Sequence, residues 1–517
     1  MSEFIYQSLF KSEKELRKDF VVHQAVFERL MNSISENMPH RSVQHIIIQG
    51  QRGMGKTTLL NMVYYEALSK FRKSGLITVF LSEQHYSIRS LNELWIQTSL
   101  TLSEKEQAYS CLMKDIRNVN DNNEKTCDFL KAALKMNEHR LLLLIDDFGT
   151  MLNSFARKEH QRLREMLITS PDIQIIGSSG VVTDSILEYR DPFFEFFLLL
   201  QLEPLTSLDS ITLVSKLAEK HRSKPVMKII KSRGGLIEAV RMLSGGSPRI
   251  MVMFFNIMSG AVKGNSTEYF LRLLDHLTPQ YRCQMDALPE KQLEIVHTLA
   301  LNWDGMKVSE MEGRTTMESK TISAQLNNLL KKGLVFSVKP GGKNKFYQLN
   351  DRLFNIWYLM NSRSSGSRDK VTWLLEFLEY WYPVYSDESL LQEVKEANHR
   401  YRESSLDHLI SDIRELLSIQ EPEEATRKLE AIVPKILKNK NYALQLSGLL
   451  AFAARKGLRH YILKLFQQDK YLLKDRFKVL YYALIKVLNG EESREYLRMG
   501  RELEEPVGKM VSYILKS

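Results

Sequence analysis

Long apolar runs are missing from this 517-residue chain. No stretch reaches the roughly 18 residues that a membrane-crossing helix needs, which excludes a spanning segment of that kind. The first residues, Met1-Ser2-Glu3-Phe4-Ile5-Tyr6, lack the basic-then-apolar order of an export signal. Cysteine is scarce: Cys111, Cys127 and Cys283 are scattered and odd in number, which excludes a disulfide framework and a zinc cluster. These absences predict a cytoplasmic protein with no membrane partner. Strong charge of one sign is also absent. The formal net charge of +10 permits contact with nucleic acid or an acidic surface without requiring it. The length exceeds what one core organises, so three or more domains are expected.

What is present is concentrated in Gly50-Gln51-Arg52-Gly53-Met54-Gly55-Lys56-Thr57, which fits G-x-x-x-x-G-K-[ST] at every fixed position. The apolar run His45–Gln49 before it reads as a buried β-strand. Thr58–Tyr64 after it reads as a helix with an apolar face. A strand, a glycine-rich turn and a helix N-terminus make an anion site, because backbone N–H groups converge on phosphate oxygens and the helix dipole adds positive charge. Gly50 to Thr58 are therefore the expected nucleotide-binding residues. Lys56 is placed to reach the β- and γ-phosphates of ATP, and the Thr57 hydroxyl to ligate Mg²⁺.

Such a loop needs a partner carboxylate. Leu141–Ile145 is five consecutive apolar residues, as in a parallel strand buried on both faces, and Asp146-Asp147 follows. This is the Walker B pattern. Asp146 at the strand's C-terminal edge is the expected second Mg²⁺ ligand. Asp147 holds the position of the residue that polarises the attacking water. In many related ATPases that residue is Glu; the shorter Asp predicts slow hydrolysis. A third strand, Ile173–Gly177, ends in Ser178-Ser179. In additional-strand P-loop ATPases this tip is the sensor position, and Ser179 is the candidate. A strand over Leu76–Leu81 runs to Ser82-Glu83, and Phe193–Leu202 reads as the last strand region of the sheet, closed by Pro204.

The rest of the chain changes rhythm. Residues before about 40 read as amphipathic helix, with Val26, Leu30 and Met31 on one face. From Ser207 to about Asp286 the chain is helical, interrupted by Ser244-Gly245-Gly246-Ser247-Pro248-Arg249, where the glycines end one helix and Pro248 enters the next. Residues 288–350 read as three helices and a strand–turn–strand hairpin, a winged helix-turn-helix. Its recognition-helix candidate is Lys320–Lys332, and its wing carries Lys339, Lys343 and Lys345. Those lysines suit the phosphates of double-stranded DNA, yet the helix offers mostly neutral side chains. DNA binding and protein packing both stay open. After a linker at Ser362–Arg368, the chain to Ser517 reads as helical hairpins with an aromatic stripe (Tyr380, Trp381, Tyr382, Tyr385) and no catalytic constellation.

The order of these parts resembles the STAND class of signal-transduction ATPases, and within it the archaeal-type ATPase branch, which is close to the AAA+ origin-recognition initiators. The fold implied is multidomain α/β plus α: an N-terminal helical segment (1–38), a P-loop NTPase parallel-sheet core (39–205), a helical lid (206–286), a winged helix (287–362) and a C-terminal α-helical array (363–517). The resemblance implies that Gly246-Ser247-Pro248 packs on the adenine side of ATP or ADP. It also implies that Arg249 stands where the initiators carry a second sensor arginine, with Arg190 a weaker arginine candidate. The usual Arg-Glu pair of the first helix is degenerate here, reading Phe20–Phe27. Such proteins are Mg²⁺-dependent ATPases acting as switches in prokaryotic defence, transcription control or mobile elements. They associate with themselves or with a protein partner according to nucleotide state. No nuclease or NADase effector is visible in the chain.

Overall fold

The computed structural model describes residues 12–37, 43–82, 88–117, 125–180, 191–232, 234–260, 265–338, 345–362, 367–386, 405–419, 421–437, 443–468 and 472–516. They form two compact units, Met1–Leu205 with Ser247–Ile250, and Thr206–Gly246 with Met251–Ser517. Arg190, Glu83, Lys339 and Lys343 lie outside the described residues.

The first unit is built on a parallel sheet: β1 (Ile46–Gln49), β2 (Leu76–Leu81), β3 (Arg140–Ile145), β4 (Ile173–Ser179) and β5 (Leu198–Gln201), in the order β2-β3-β4-β1-β5. Its helices are α1 (Glu13–Asp19), α2 (Gln24–Glu36), α3 (Lys56–Phe71), α4 (Leu91–Lys105), α5 (Leu112–Arg117), α6 (Lys125–Met136), α7 (Phe148–Ser154) and α8 (Arg157–Thr169). Continuous apolar strands suit this layout because helices cover both faces. Side chains alternate along each strand, so the core divides in two. Ile47, Val79, Leu143, Ile145 and Ile175 pack with α4, α6, α7 and α8. Ile46, Ile48, Leu142, Leu144 and Ile176 pack with Leu30, Ile34, Leu59, Leu60 and Val63 of α2 and α3. Each face buries its own set, so the strands are apolar at consecutive positions and not only at alternate ones.

One strand is shorter than its sequence predicts. Phe193–Phe197 is not in the sheet; it turns, with Glu195 at φ 53°, and β5 begins only at Leu198. Phe193 and Phe197 serve the core instead, packing ring to ring at 5.2 Å. Aromatic bulk thus buys burial without ladder pairing, which apolarity alone does not distinguish.

Among its described residues the second unit is helical apart from one hairpin. Its leading helices are α9 (Ser207–Lys220), α10 (Lys224–Ser232) and α11 (Gly234–Leu243). Thr206 caps α9 in a reciprocal box with Asp209. Helix α12 (Pro248–Ser259) starts with residues that belong to the first unit, and α13 (Ser266–Asp286) follows. Next come α14 (Glu290–Ala300), α15 (Val308–Glu312) and α16 (Ser319–Lys331), then the antiparallel strands β6 (Val335–Val338) and β7 (Phe346–Leu349), with Val335 opposite Leu349. A bridge from Met306 to Tyr347 adds a third partner to this hairpin. After α17 (Arg352–Asn361) and α18 (Ser367–Ser386), further helices lead to the C-terminal helix α19 (Glu504–Leu515). Trp381 of the aromatic stripe is 3% exposed, and its Nε1 donates to Ser447 Oγ at 3.0 Å, so it is core. Among the described residues no helix is long and apolar enough to cross a membrane.

Candidate nucleotide site

The loop between β1 and α3 takes its shape from two glycines. Gly53 and Gly55 both sit at φ 90°, a region that side chains with a Cβ rarely enter. At Gly53 space is also short: an added Cβ would stand 2.9 Å from Ser247 Oγ and 3.3 Å from Arg249 Cβ. The backbone N–H of Arg249 donates to the Gly53 carbonyl at 3.2 Å, and Ser247 Oγ donates to the same oxygen at 3.4 Å. Ser247 and Pro248 are buried there, and the Nε of Arg249 is enclosed with no hydrogen-bond partner among the described residues. Gln51 and Arg52 are exposed, Met54 is anchored in the core at 4% exposure, and Lys56, Thr57 and Thr58 are half-buried on the first turn of α3. The first N–H groups of a helix have no intrahelical acceptor, so this turn presents donors together with the positive dipole end. Lys56 Nζ donates to the carbonyls of Gly50 at 2.6 Å and Gln51 at 3.0 Å.

The carboxylate predicted to face this loop does so. Thr57 Oγ1 donates to Asp146 Oδ2 at 2.6 Å, across 89 residues of chain. The other oxygen, Oδ1, accepts from Ser178 Oγ at 2.6 Å and from the Asp147 backbone N–H at 3.2 Å. Asp146 is 6% exposed. Strand β4 lies between β1 and β3, so its tip stands beside the carboxylate and supplies the Ser178 hydroxyl that bonds both Asp146 and the Asp147 N–H. Asp147 is the N-cap of α7 in a left-handed conformation, φ 53°. Its N–H also donates to Ser178 Oγ at 2.9 Å, and its Oδ1 accepts from Thr150 Oγ1 at 2.9 Å.

Ser179 lies elsewhere. It is 2% exposed, its carbonyl accepts from Gly50 N–H at 3.2 Å, and its Oγ would stand 2.1 Å from a Cβ at Gly149. The side chain on Asp146 is that of Ser178. Alternation along β4 carries the signal: Ile176 packs on the α3 face, so Ser178 shares that face and Ser179 takes the other. Two further contacts leave no motif in the sequence. His23, left-handed at φ 63°, sets its Nε2 2.9 Å from the carbonyl of Met54. Thr150 braces Asp147. Lys345 is exposed at the start of β7.

The donor set fits a magnesium–nucleotide complex. A hydroxyl and a carboxylate, both hard oxygen ligands, meet beside a glycine loop and a lysine at a helix N-terminus. No family model matches the chain. An uncharacterised HTH-type transcriptional regulator of Methanocaldococcus jannaschii is 21% identical over 389 residues, covering 67% of this chain and 91% of that protein. Among solved structures, the chain is similar to the Walker-type ATPase of Pyrococcus abyssi (16% identity, 68% of this chain and 95% of that one, TM-score 0.45). It is also similar to the ORC2 protein of Aeropyrum pernix in ADPNP–ADP complexes (14%, 68% and 92%, TM-score 0.43). The ORC1 protein of the same organism in complex with DNA gives 13% identity over 65% of this chain and 92% of that one, TM-score 0.40.

Proposed function

We propose that this chain is an ATP-binding, slowly hydrolysing switch ATPase of the STAND kind, whose nucleotide state controls how its parts are arranged and whether it associates with itself or a protein partner. One observation carries the nucleotide reading: the Thr57 hydroxyl of the phosphate loop rests on the Asp146 carboxylate, which Ser178 holds from its other side. Lys56 supplies the point charge for the terminal phosphates, and the loop N–H groups cradle them. Thr57 and Asp146 would hold Mg²⁺, which when bound neutralises charge on the phosphate oxygens. Asp147, held by Thr150, orients the attacking water. Its short reach supports slow turnover. Ser247-Pro248-Arg249 belongs with the loop and is the natural carrier of nucleotide state to the lid (206–286) and the segments after it.

Binding of a fluorescent ATP analogue to the folded Lys56→Ala protein tests this. The expected result is loss of binding. Unchanged affinity removes the assignment.

A second reading has its own support. The helices and hairpin between Glu290 and Leu349 have the order of a winged helix-turn-helix, and the curated relative carries the name of an HTH-type regulator. In that reading the chain is an initiator-like ATPase that grips double-stranded DNA. Binding of duplexes at two salt concentrations separates the readings, since phosphate neutralisation gives a steep salt slope.

A further inference from the structure

Helix α11 carries a charge pair that is out of place by ordinary rules. Arg241 and Glu238 are 6% and 1% exposed at their side chains. They bond in a fork: Arg241 Nε to Glu238 Oε2 and Nη2 to Oε1, both at 2.8 Å. A buried pair of this kind is weak support for stability, because desolvation offsets most of the attraction. Here it is extended. Arg241 also pairs with Glu505 of α19, and Lys509 of α19 pairs with Glu505 at 2.8 Å and reaches Glu238 at 3.9 Å. Four charges of alternating sign, two on each helix, fasten the C-terminal helix to α11.

The same Arg241 serves a second contact through its backbone. Its carbonyl accepts from Gly246 N–H at 2.8 Å, while Gly245 N–H donates to Met242 at 3.2 Å. Gly245 and Gly246 stand at φ 61° and 66°. This is a Schellman-type stop. It fixes where α11 ends and sends the chain directly into Ser247 and Arg249, the residues bonded to the Gly53 carbonyl. Side chain and carbonyl of one residue thus face, respectively, the C-terminal helix and the turn that feeds the phosphate loop.

We infer that Arg241 is a joint: through its pairing with Glu505, the C-terminal helices set how firmly Ser247–Arg249 hold the phosphate loop, and so how fast nucleotide leaves. The last clause rests on the nucleotide reading; the rest does not. Arg241 is a positioning residue. Strain or motion at α19 reaches the loop through five residues of chain held by a hydrogen-bonded turn, which is a short, physically continuous path.

The test has two readouts on the full chain. Hydrogen exchange of the Arg249 amide, measured without nucleotide, reports the bond to Gly53. Release of a fluorescent ADP analogue reports the consequence. Glu505 is 43% exposed at its side chain, so its reversal places no fully buried charge. In Glu505→Lys, exchange at Arg249 and analogue release should each rise at least about fivefold, the lower end of ordinary coupling between sites. Glu505→Gln, which keeps an acceptor oxygen, should fall between that variant and wild type. Asp475→Ala breaks a different ion pair of the C-terminal helices, with Lys370, and should change neither. Equal exchange at Arg249 in wild type and Glu505→Lys overturns the joint. So does a rise in Glu505→Lys that is matched at Leu143 in β3, which would mean general loosening. If exchange responds as expected but wild type fails to hold the analogue, the joint stands and the nucleotide reading falls.

Discussion

His45 shows how much a single side chain can decide at the residue scale. It is 3% exposed at the start of β1, its ring stacks on Phe196 at 5.3 Å, and its Nδ1 accepts from Ile175 N–H at 3.1 Å. Burial pushes the imidazole down to about 4. The unfolded chain, near the ordinary value of about 6.5, therefore takes up a proton first as pH falls. His45 costs nothing above pH 6.5, and its penalty grows as pH drops towards 4, to about 3 kcal/mol. Denaturant unfolding of wild type and His45→Gln across pH 7 to 4 should show a flatter profile for the variant; parallel profiles would mean the ring is not neutral in the fold. The same attention to single contacts separates the two serines of β4. Ser178→Ala removes a hydrogen bond to a charged group, so Mg²⁺-dependent turnover should fall about tenfold or more with ATP binding retained. Asp147→Asn should likewise bind ATP and lose hydrolysis. A steady-state ATPase assay checks both, and normal turnover in either removes that residue from the mechanism.

At the scale of elements, two glycines let α7 lie against β4. A Cβ on Gly177 would stand 2.5 Å from Phe148 Cδ1, and one on Gly149 would meet Ser179. Phe148 is fully buried and follows Asp147 directly, so Gly177→Ala should cost about 1–3 kcal/mol by overpacking and displace the Asp147 carboxylate. A lowered melting temperature together with reduced turnover is the expected result, and an unchanged melting temperature would show that α7 shifts freely. The hairpin poses another question. Replacing Lys339, Lys343 and Lys345 by Glu should lower the salt slope of duplex binding by up to about three, with unrelated duplexes affected alike; equal affinity in parent and variant would move any DNA surface elsewhere. How legible these elements were depended on what fixes them. Strand β3 and the phosphate loop follow from local pattern. The hairpin is legible because Gly-Gly separates two short runs rich in β-branched and aromatic residues. Phe193–Phe197 misled because a buried turn and a buried strand are equally apolar. His23 and Thr150 left no trace because a single contact across folded chain has no spacing to read.

For the whole molecule, the switch proposal makes a global demand. ADP and a non-hydrolysable ATP analogue must bind two arrangements with different affinity, or neither can shift the balance. Small-angle scattering and mass measurement in the two nucleotides should differ, and superimposable curves with equal mass would leave an ATPase without a switch. The sheet order bears on how the molecule is made. Among the described residues β1 pairs with β4 and β5: Ile46 lies opposite Ile176 and Leu198. Both partners are far downstream, and contacts so distant along the chain are slow to form. While the polypeptide is still being synthesised, Ile46-Ile47-Ile48 has two bare strand edges until the residues of β4 and then β5 emerge. Nascent chains stalled before Ile173 would thus present a naked apolar strand to one another, a setting for aggregation or chaperone capture.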